Sequence, residues 1–489
     1  MRLESIVQAL GPLATSGPLN AEIRGVVYDS RQVRPDYLFI AMPGDHVDGA
    51  GFLDDAIRRG AAAVVTEHPP GSRRDIAWVQ VRDARRAAAE AACVFFDHPS
   101  ARMRVVGITG TNGKTTTAFM ARDVLAASGW NPGIIGTVEY RIGARVIPAS
   151  RTTPQAIDLQ SMLDQMVQAG CKSAVMEVSS HSLDQKRVWG IDFDVAVFTN
   201  LTRDHLDYHR TREQYFEAKK LLFAWLGLRR KDAHAVINLD DPYGAQLAAM
   251  AGLKAEQITF GCSANALVRA TDIALDGRGS RFSLESPWGG ATVRLKLSGR
   301  YNVSNALAAA AACGALGVDI GLVADVLSRV TCVPGRLEEV PTDRGFQVFV
   351  DYAHTDDALS NVLRCLRELT RGRLIVVFGC GGNRDTSKRP AMGEVAAALA
   401  DFTVLTSDNP RREKPADIIE QIRAGFGAKT SFRIVEERAE AIRAGLAMAR
   451  EGDTVLVAGK GHETFQEFAN TVIPFDDRSV VRKILAETA

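Results

Sequence analysis

Residues 104–117, RVVGITGTNGKTTT, constrain this chain more than any other stretch. Val105, Val106 and Ile108 make a short apolar run, Gly110 and Gly113 break it, and Thr115 opens a helix-compatible segment through Leu125. A buried strand, a glycine turn and a helix start build a phosphate cradle. Backbone N–H groups at the helix N-terminus face the anion, Lys114 reaches the terminal phosphates, and the Thr115 hydroxyl can ligate Mg²⁺. The fit to GxxxxGK[ST] is imperfect, because Ile108 stands where the first glycine belongs and glycines fall at 107 and 110. A glycine-rich loop alone is often only a tight turn. Lys-Thr directly after Gly113 favours nucleotide phosphate.

A chain of 489 residues predicts two to four domains, each able to bury its own core. Its 24% charged and 46% apolar residues fit a globular protein, and a formal net charge of +1 gives no argument for binding nucleic acid or a membrane surface. The seven cysteines are scattered without CxxC or zinc-type spacing, so they read as reduced thiols. The start, MRLESIVQALGPLA, lacks the long apolar core of a signal peptide. No run approaches the roughly 18–20 apolar residues of a membrane span. The expectation is a cytoplasmic protein.

Residues 1–100 form a first unit, with strands at 23–27, 38–40 and 61–66 and helices at 51–59 and 84–96. Its Asp29-Ser30-Arg31 follows an apolar strand and reads most simply as a turn. In 101–334, beta-like runs at 174–178, 195–200 and 235–239 alternate with helices, the pattern of a parallel sheet covered on both faces. Ligands of such sheets bind beyond the strands' carboxyl ends. There lie MEVSSH (176–181) and TNLTRDHLDYH (199–209), which put Glu177 and His205 near the phosphate loop; Glu177 with Thr115 suits Mg²⁺ better than His205 does. Residues 268–297 predict a small antiparallel addition. The helix at 301–316 opens with YNVSNA, where an Asn ordinarily caps. Residues 335–489 repeat the alternation, with strands at 348–352, 374–378, 402–406 and 454–458. Arg384, Arg411 and Glu463 follow these strands and could bind a ligand bearing both carboxylate and ammonium.

GTNGKTT, MEVSSH, TNLTRDHLDYH, YNVSNALAA, PGRLE, DYAHT, GCGGNRD, SDNPR and GKGHE, in that order, resemble the Mur ligase family. DNPR at 408–411 resembles the members that add meso-diaminopimelate. The resemblance implies a three-domain α/β fold: an N-terminal UDP-nucleotide domain (1–100), a central ATP-binding P-loop domain with a doubly wound parallel sheet (101–334), and a C-terminal Rossmann-like amino-acid domain (335–489). It implies ATP contacts from Gly110, Thr111, Asn112, Gly113, Lys114, Thr115, Thr116, Asn305, Arg336 and Asp351. Metal contacts would come from Thr115, Glu177 and His205. Ser30, Thr152, Thr153, Ser179, Gln185, Arg187 and Lys219 would hold UDP-MurNAc-L-Ala-D-Glu. Arg384, Asp408, Asn409, Pro410, Arg411, Gly459 and Glu463 would line the diaminopimelate site. Lys114, Glu177, His205 and Lys219 would be catalytic, with Lys219 carbamylated (N6-carboxylysine); its neighbour Lys220 is one register away. The sequence departs from the family pattern at Asp356, where Pro is common, and at Asn383, where Asp is usual.

The implied reaction is ATP-dependent amide formation through an acyl phosphate, by a monomer that uses ATP, Mg²⁺, the UDP-linked dipeptide and meso-diaminopimelate. An L-lysine-adding or folylpolyglutamate-type ligase is the nearer alternative, opposed by DNPR and the DSR-bearing first unit. A P-loop switch or motor is the other; no NKxD-type motif supports a GTPase.

Overall fold

A computed structural model describes residues 1–44, 47–69, 75–228, 232–276 and 279–487. It is an α/β protein of three domains, each built on its own sheet. In the first sheet the strands run in the order Ala14–Ser16, Ala77–Gln80, Ala61–Thr66, Tyr37–Ile40, Gly25–Val27. All pair in parallel except Ala14–Ser16. The helix expected at 51–59 starts as a 3₁₀ turn, Gly49–Phe52, because Asp48 caps Ala50 N–H; the α-helix is Leu53–Arg58.

The second sheet has eleven strands. Its parallel centre runs Glu256–Gly261, His234–Asn238, Val195–Phe198, Arg104–Thr109, Ser173–Glu177, Pro132–Ile135. Arg104–Thr109 lies inside it, with Ile108 beside Glu177 on one side and Val197 on the other. Val105, Val106 and Ile108 are fully buried, each contributing about 1.5–3 kcal/mol relative to exposure. The predicted antiparallel addition is present as Val268–Asp276, Gly279–Ser286 and Gly289–Leu295. A hairpin at the other edge, Glu139–Ile142 with Arg145–Pro148, escaped the sequence reading: its strands are short and pair only locally.

Helices Lys114–Ala127 and Arg300–Ala315 pack together over this sheet. The alanines at 306 and 308–312 are all fully buried, and such small side chains permit close approach. No Asn caps the second helix. Gly299 holds the cap position without a side-chain bond, Asn302 Nδ2 donates back to Ser298 O at 2.8 Å, and Asn305 turns toward the phosphate loop.

The third sheet runs Glu338–Glu339, Gln347–Asp351, Thr454–Ala458, Leu374–Phe378, Phe402–Leu405, Phe432–Ile434, parallel apart from the first strand. Its loops beyond the carboxyl ends close on the second domain. Among the described residues, no helix is long and apolar enough to cross a membrane.

Candidate active site

The phosphate loop needs its glycines. Gly110 (φ +148°) and Gly113 (φ +87°) lie where L side chains are strained. A Cβ on Gly110 would fall 1.9 Å from Thr199 Oγ1, and one on Gly113 2.2 Å from Asn305 Oδ1. The strand before Thr199 ends at Phe198, two residues sooner than expected, because Thr199 and Asn200 turn onto the loop. Thr199 Oγ1 donates to Asn112 O at 2.6 Å, and Asn112 N–H donates to Asn200 Oδ1 at 2.9 Å. Thr111 Oγ1 meets the Tyr215 hydroxyl at 3.2 Å, and Thr116 is buried as the third residue of the helix.

Lys114 folds back over this loop, donating to Gly110 O at 2.9 Å and Thr111 O at 2.8 Å. Burial pushes its ammonium below the ordinary value, against the pull of Glu177 and Asp204. Lys219, 1% exposed, also donates to Gly110 O at 2.9 Å, and its Nζ sits 4.4 Å from the Tyr215 ring centre. Burial, reinforced by Lys114, drives it well below 10.5, toward the neutral amine. Lys220 instead pairs with exposed Glu217 at 2.8 Å, so Lys219 is the residue facing the phosphate loop.

Thr115 Oγ1 donates to Glu177 Oε2 at 3.0 Å and accepts from Arg336 Nη2 at 3.0 Å. Glu177, 1% exposed, also accepts from Thr137 N–H (2.8 Å) and the Thr137 hydroxyl (3.0 Å). Among the described residues, no group of three or more His, Cys, Asp or Glu is placed to hold a metal ion by itself. The donors at hand are thus a hydroxyl and a carboxylate oxygen, which fits a hard cation that takes its other ligands from phosphate and water. His205 (φ +55°) packs its ring 4.8 Å from that of His181. Burial holds its imidazole down at about 3, with Asp204 opposing.

From Glu177 the network continues outward. Thr153 Oγ1 donates to Glu177 O at 2.9 Å, Ser179 N–H donates to Thr153 Oγ1 at 3.2 Å, and Thr152 and Thr137 hydroxyls meet at 3.1 Å. Arg187 donates from Nη1 to Thr153 O at 3.0 Å and from Nε to Gln185 Oε1 at 3.1 Å. Ser30 is buried in the first domain, in a 3₁₀ turn capped by Asp29; Asp29-Ser30-Arg31 is a turn, as its local sequence reads. Two residues before Ser30, Tyr28 donates to Asp158 at 2.8 Å and lines a cavity of about 340 Å³ with Arg151 and Pro154.

Across the cleft, Asp351 is buried, its carboxyl raised by burial and tied by Leu337 N–H at 2.6 Å. Asn409 Nδ2 and Lys460 Nζ both donate to Glu463 Oε2, at 2.8 and 2.9 Å. Burial, and then Asp408, raises the Glu463 carboxyl. Gly459 (φ +114°) leaves room for Asp408 Oδ2, which a Cβ would approach to 2.6 Å. Arg411 is held on two sides, by Glu467 at 2.9 Å and Gly382 O at 2.8 Å, and a Cβ on Gly382 would fall 1.9 Å from Pro410 O. Arg384 stands exposed on the same loop as Gly382.

Several residues here were assigned no role from the sequence. Lys460 is fully buried beneath Asn409 and Glu463. Fully buried Arg438 forks onto Asp477 at 2.8 and 2.7 Å and donates to Ser407 O (3.2 Å) and Ala458 O (3.0 Å), the ends of two separate strand–loop junctions. Glu467 and Asp357 likewise take meaning only from what lies opposite them.

Three stretches match Mur ligase profiles in order. Residues 22–101 match "Mur ligase family, catalytic domain", 108–313 "Mur ligase middle domain" and 335–461 "Mur ligase, glutamate ligase domain". A protein of Geobacter metallireducens named UDP-N-acetylmuramoyl-L-alanyl-D-glutamate--2,6-diaminopimelate ligase is 45% identical, covering 100% of this chain and 99% of its own. The ligase of the same name from Geobacillus kaustophilus is 46% identical over 96% of each chain. A solved structure with that title superposes with a TM-score of 0.70 at 32% identity, covering 99% of both chains. On these full-length matches, the chain belongs to the Mur ligase family.

Proposed function

We propose that this protein is an ATP-dependent amide ligase that joins meso-diaminopimelate to the D-Glu of UDP-N-acetylmuramoyl-L-Ala-D-Glu, releasing ADP and phosphate in cytoplasmic peptidoglycan precursor synthesis. The observation that carries this reading is continuity. One hydrogen-bonded path runs from Arg187 through Thr153 and Glu177 to Thr115 of the phosphate loop, and Asn112 of that loop donates to Asp357 of the third domain at 2.6 Å. Relatives bearing the diaminopimelate ligase name match over the whole length.

In this reading residues 1–100 take the uridine nucleotide through Ser30, 101–334 take ATP, and 335–489 take the amino acid. Thr152, Thr153, Ser179, Gln185 and Arg187 orient the muramoyl dipeptide. Loop amides at 110–116 and Lys114 bind the ATP phosphates, with Asn305 and Arg336 beside the same loop and Asp351 reaching the ribose. The D-Glu carboxylate attacks the terminal phosphorus, ADP leaves, and an acyl phosphate remains. A neutral amine of diaminopimelate then attacks the acyl carbon, and phosphate departs with the amine's proton. Positioning and electrostatics do most of this work.

Thr115 and Glu177, with His205 on the rim, would hold Mg²⁺, which when bound offsets charge on the phosphates. The neutral Lys219 amine is the form that captures carbon dioxide, giving N6-carboxylysine. In the amino-acid pocket, Arg384 and Arg411 bind carboxylate, Glu463 binds ammonium, and Asp408, Asn409, Pro410 and Gly459 shape the walls. All three substrate sites lie in one chain, so a monomer suffices.

The test is phosphate release with ATP, Mg²⁺ and the UDP-linked dipeptide, adding meso-diaminopimelate or L-lysine in parallel. Release only with diaminopimelate, and a tripeptide product by mass, is the expected result. Turnover with lysine would replace the amino acid assigned. Hydrolysis indifferent to every acceptor would refute the ligase.

A further inference from the structure

The short segment 185–189 alternates between two faces. Arg187 donates to Gln185 Oε1 and to Thr153 O, on the side assigned above to the muramoyl dipeptide. Lys186, between them, turns away to form an ion pair with Asp83 of the first domain. Asp83 is also the N-cap of the helix Ala84–Phe95, accepting from Arg86 N–H at 2.9 Å. Two further contacts tie the segment to that helix. Trp189 Nε1 donates to Glu90 Oε1 at 3.0 Å, and the Arg86 guanidinium, itself paired to Glu90 at 2.9 Å, lies 4.6 Å over the Trp189 ring.

Lys186 has φ +56°, a left-handed conformation that costs a residue with a Cβ about 1–2 kcal/mol. That conformation lets neighbours 185 and 187 face one way while 186 faces the other. The ion pair lines a cavity of about 750 Å³ shared with Gln8, Leu10 and Leu13, so it is reached by water and substitutions there do not open the core.

We propose that Lys186 is a positioning residue for the acceptor: its ion pair with Asp83, backed by the Trp189–Glu90 contact, anchors the Gln185–Arg187 segment to the first domain. One consequence is a fixed separation between the nucleotide end of the acceptor, held in that domain, and the peptide end, held by Arg187. The proposal rests on the assignment of Arg187 to the acceptor, and its test separates the two.

Steady-state KM values for the UDP-linked dipeptide, ATP and diaminopimelate are compared for Lys186→Met, Asp83→Asn, the double variant, Lys186→Gly, Lys186→Arg and Arg187→Ala. Lys186→Met and Asp83→Asn each raise the acceptor KM about fivefold, the scale of a partly exposed ion pair that orients a binding group. The KM values for ATP and diaminopimelate and the saturated rate stay put. The double variant is no worse than either single one, and Lys186→Arg restores the wild-type KM. Lys186→Gly relieves the left-handed backbone yet still raises the acceptor KM, which separates positioning from stability. A wild-type acceptor KM in both Lys186→Met and Asp83→Asn, with a raised one in Arg187→Ala, overturns the proposal alone. A wild-type KM in Arg187→Ala as well overturns the assignment beneath it.

Discussion

Asn112 donates from Nδ2 to Asp357 Oδ2 at 2.6 Å, joining the glycine loop that precedes helix Lys114–Ala127 to a helix of the third domain. Thr202 adds a second donor to the same oxygen at 3.1 Å, and His462 Nε2 meets Thr137 O at 3.1 Å nearby. The two domains therefore touch at the point where phosphoryl transfer would leave a water-sensitive intermediate. Asp357→Ala removes an acceptor shared by Asn112, Thr202 and Asn361, costing about 1–3 kcal/mol. Turnover should fall about tenfold. More tellingly, ADP released per amide formed should rise above one as water reaches the acyl phosphate. A strict one-to-one ratio would remove Asp357 from closure.

Lys219 lies buried near a second ammonium, with a carbonyl and an aromatic face for company. Lys219→Met should abolish turnover yet raise Tm in buffer stripped of carbon dioxide. The folded pKa is lowered from 10.5, so below it both states hold the proton and the burial penalty is complete. As pH rises through the folded value, the unfolded chain binds more protons and wild-type stability recovers. The Tm gap between variant and wild type should thus be widest at neutral pH and narrow as pH approaches about 10. A gap that widens with pH would contradict a buried, depressed lysine. Mass analysis of protein kept in bicarbonate should add one carbon dioxide at Lys219.

Lys114→Ala should reduce ADP release about a thousandfold, since a cation poised on transferring phosphoryl oxygens acts mainly in the transition state. Full activity in that variant would sink the phosphate-loop assignment.

Gly459→Ala places a Cβ 2.6 Å from Asp408 Oδ2 at φ +114°, so both strain and displacement fall on the amino-acid pocket. The KM for diaminopimelate should rise by about tenfold or more while the KM for ATP holds. Equal effects on both would mean a folding defect, which circular dichroism would reveal.

Arg411 keeps its fork oriented through Glu467 and Gly382 O. Arg411→Ala should weaken diaminopimelate about 10- to 100-fold, as expected for a lost charged hydrogen bond, and should narrow the preference over L-lysine. An unchanged preference would move carboxylate recognition to another residue.

Much of this was legible in the chain itself. Strands 61–66, 374–378 and 454–458 fall at the predicted limits because uninterrupted apolar β-formers, bounded by glycine or polar turns, leave little choice. The phosphate loop was legible because its chemistry is local, a glycine turn followed by Lys-Thr. Contacts between distant segments were not. Asp357, Glu467 and Arg438 look like ordinary charges in sequence, and Lys460, although inside GKGHE, gives no sign there of the partners it is buried against. Only the fold brings Asp357 across 245 positions to Asn112, or Glu467 across 56 to Arg411. The Asn that ordinarily caps such a helix does not do so here: Asn302 donates back to Ser298 O, and Asn305 Nδ2 donates to Asn302 Oδ1 at 3.2 Å.

Arg438 gathers the strand ends at Ser407 and Ala458 onto one guanidinium, itself neutralised by Asp477. The amino-acid pocket thereby separates a shared foundation from interchangeable tips. On the proposed reading, substitutions at the loop crests should alter which amino acid is admitted, while the Arg438–Asp477 pair below holds the two strand ends together. A designer grafting a new specificity would do well to leave Arg438 and Asp477 in place and rewrite only what stands above them.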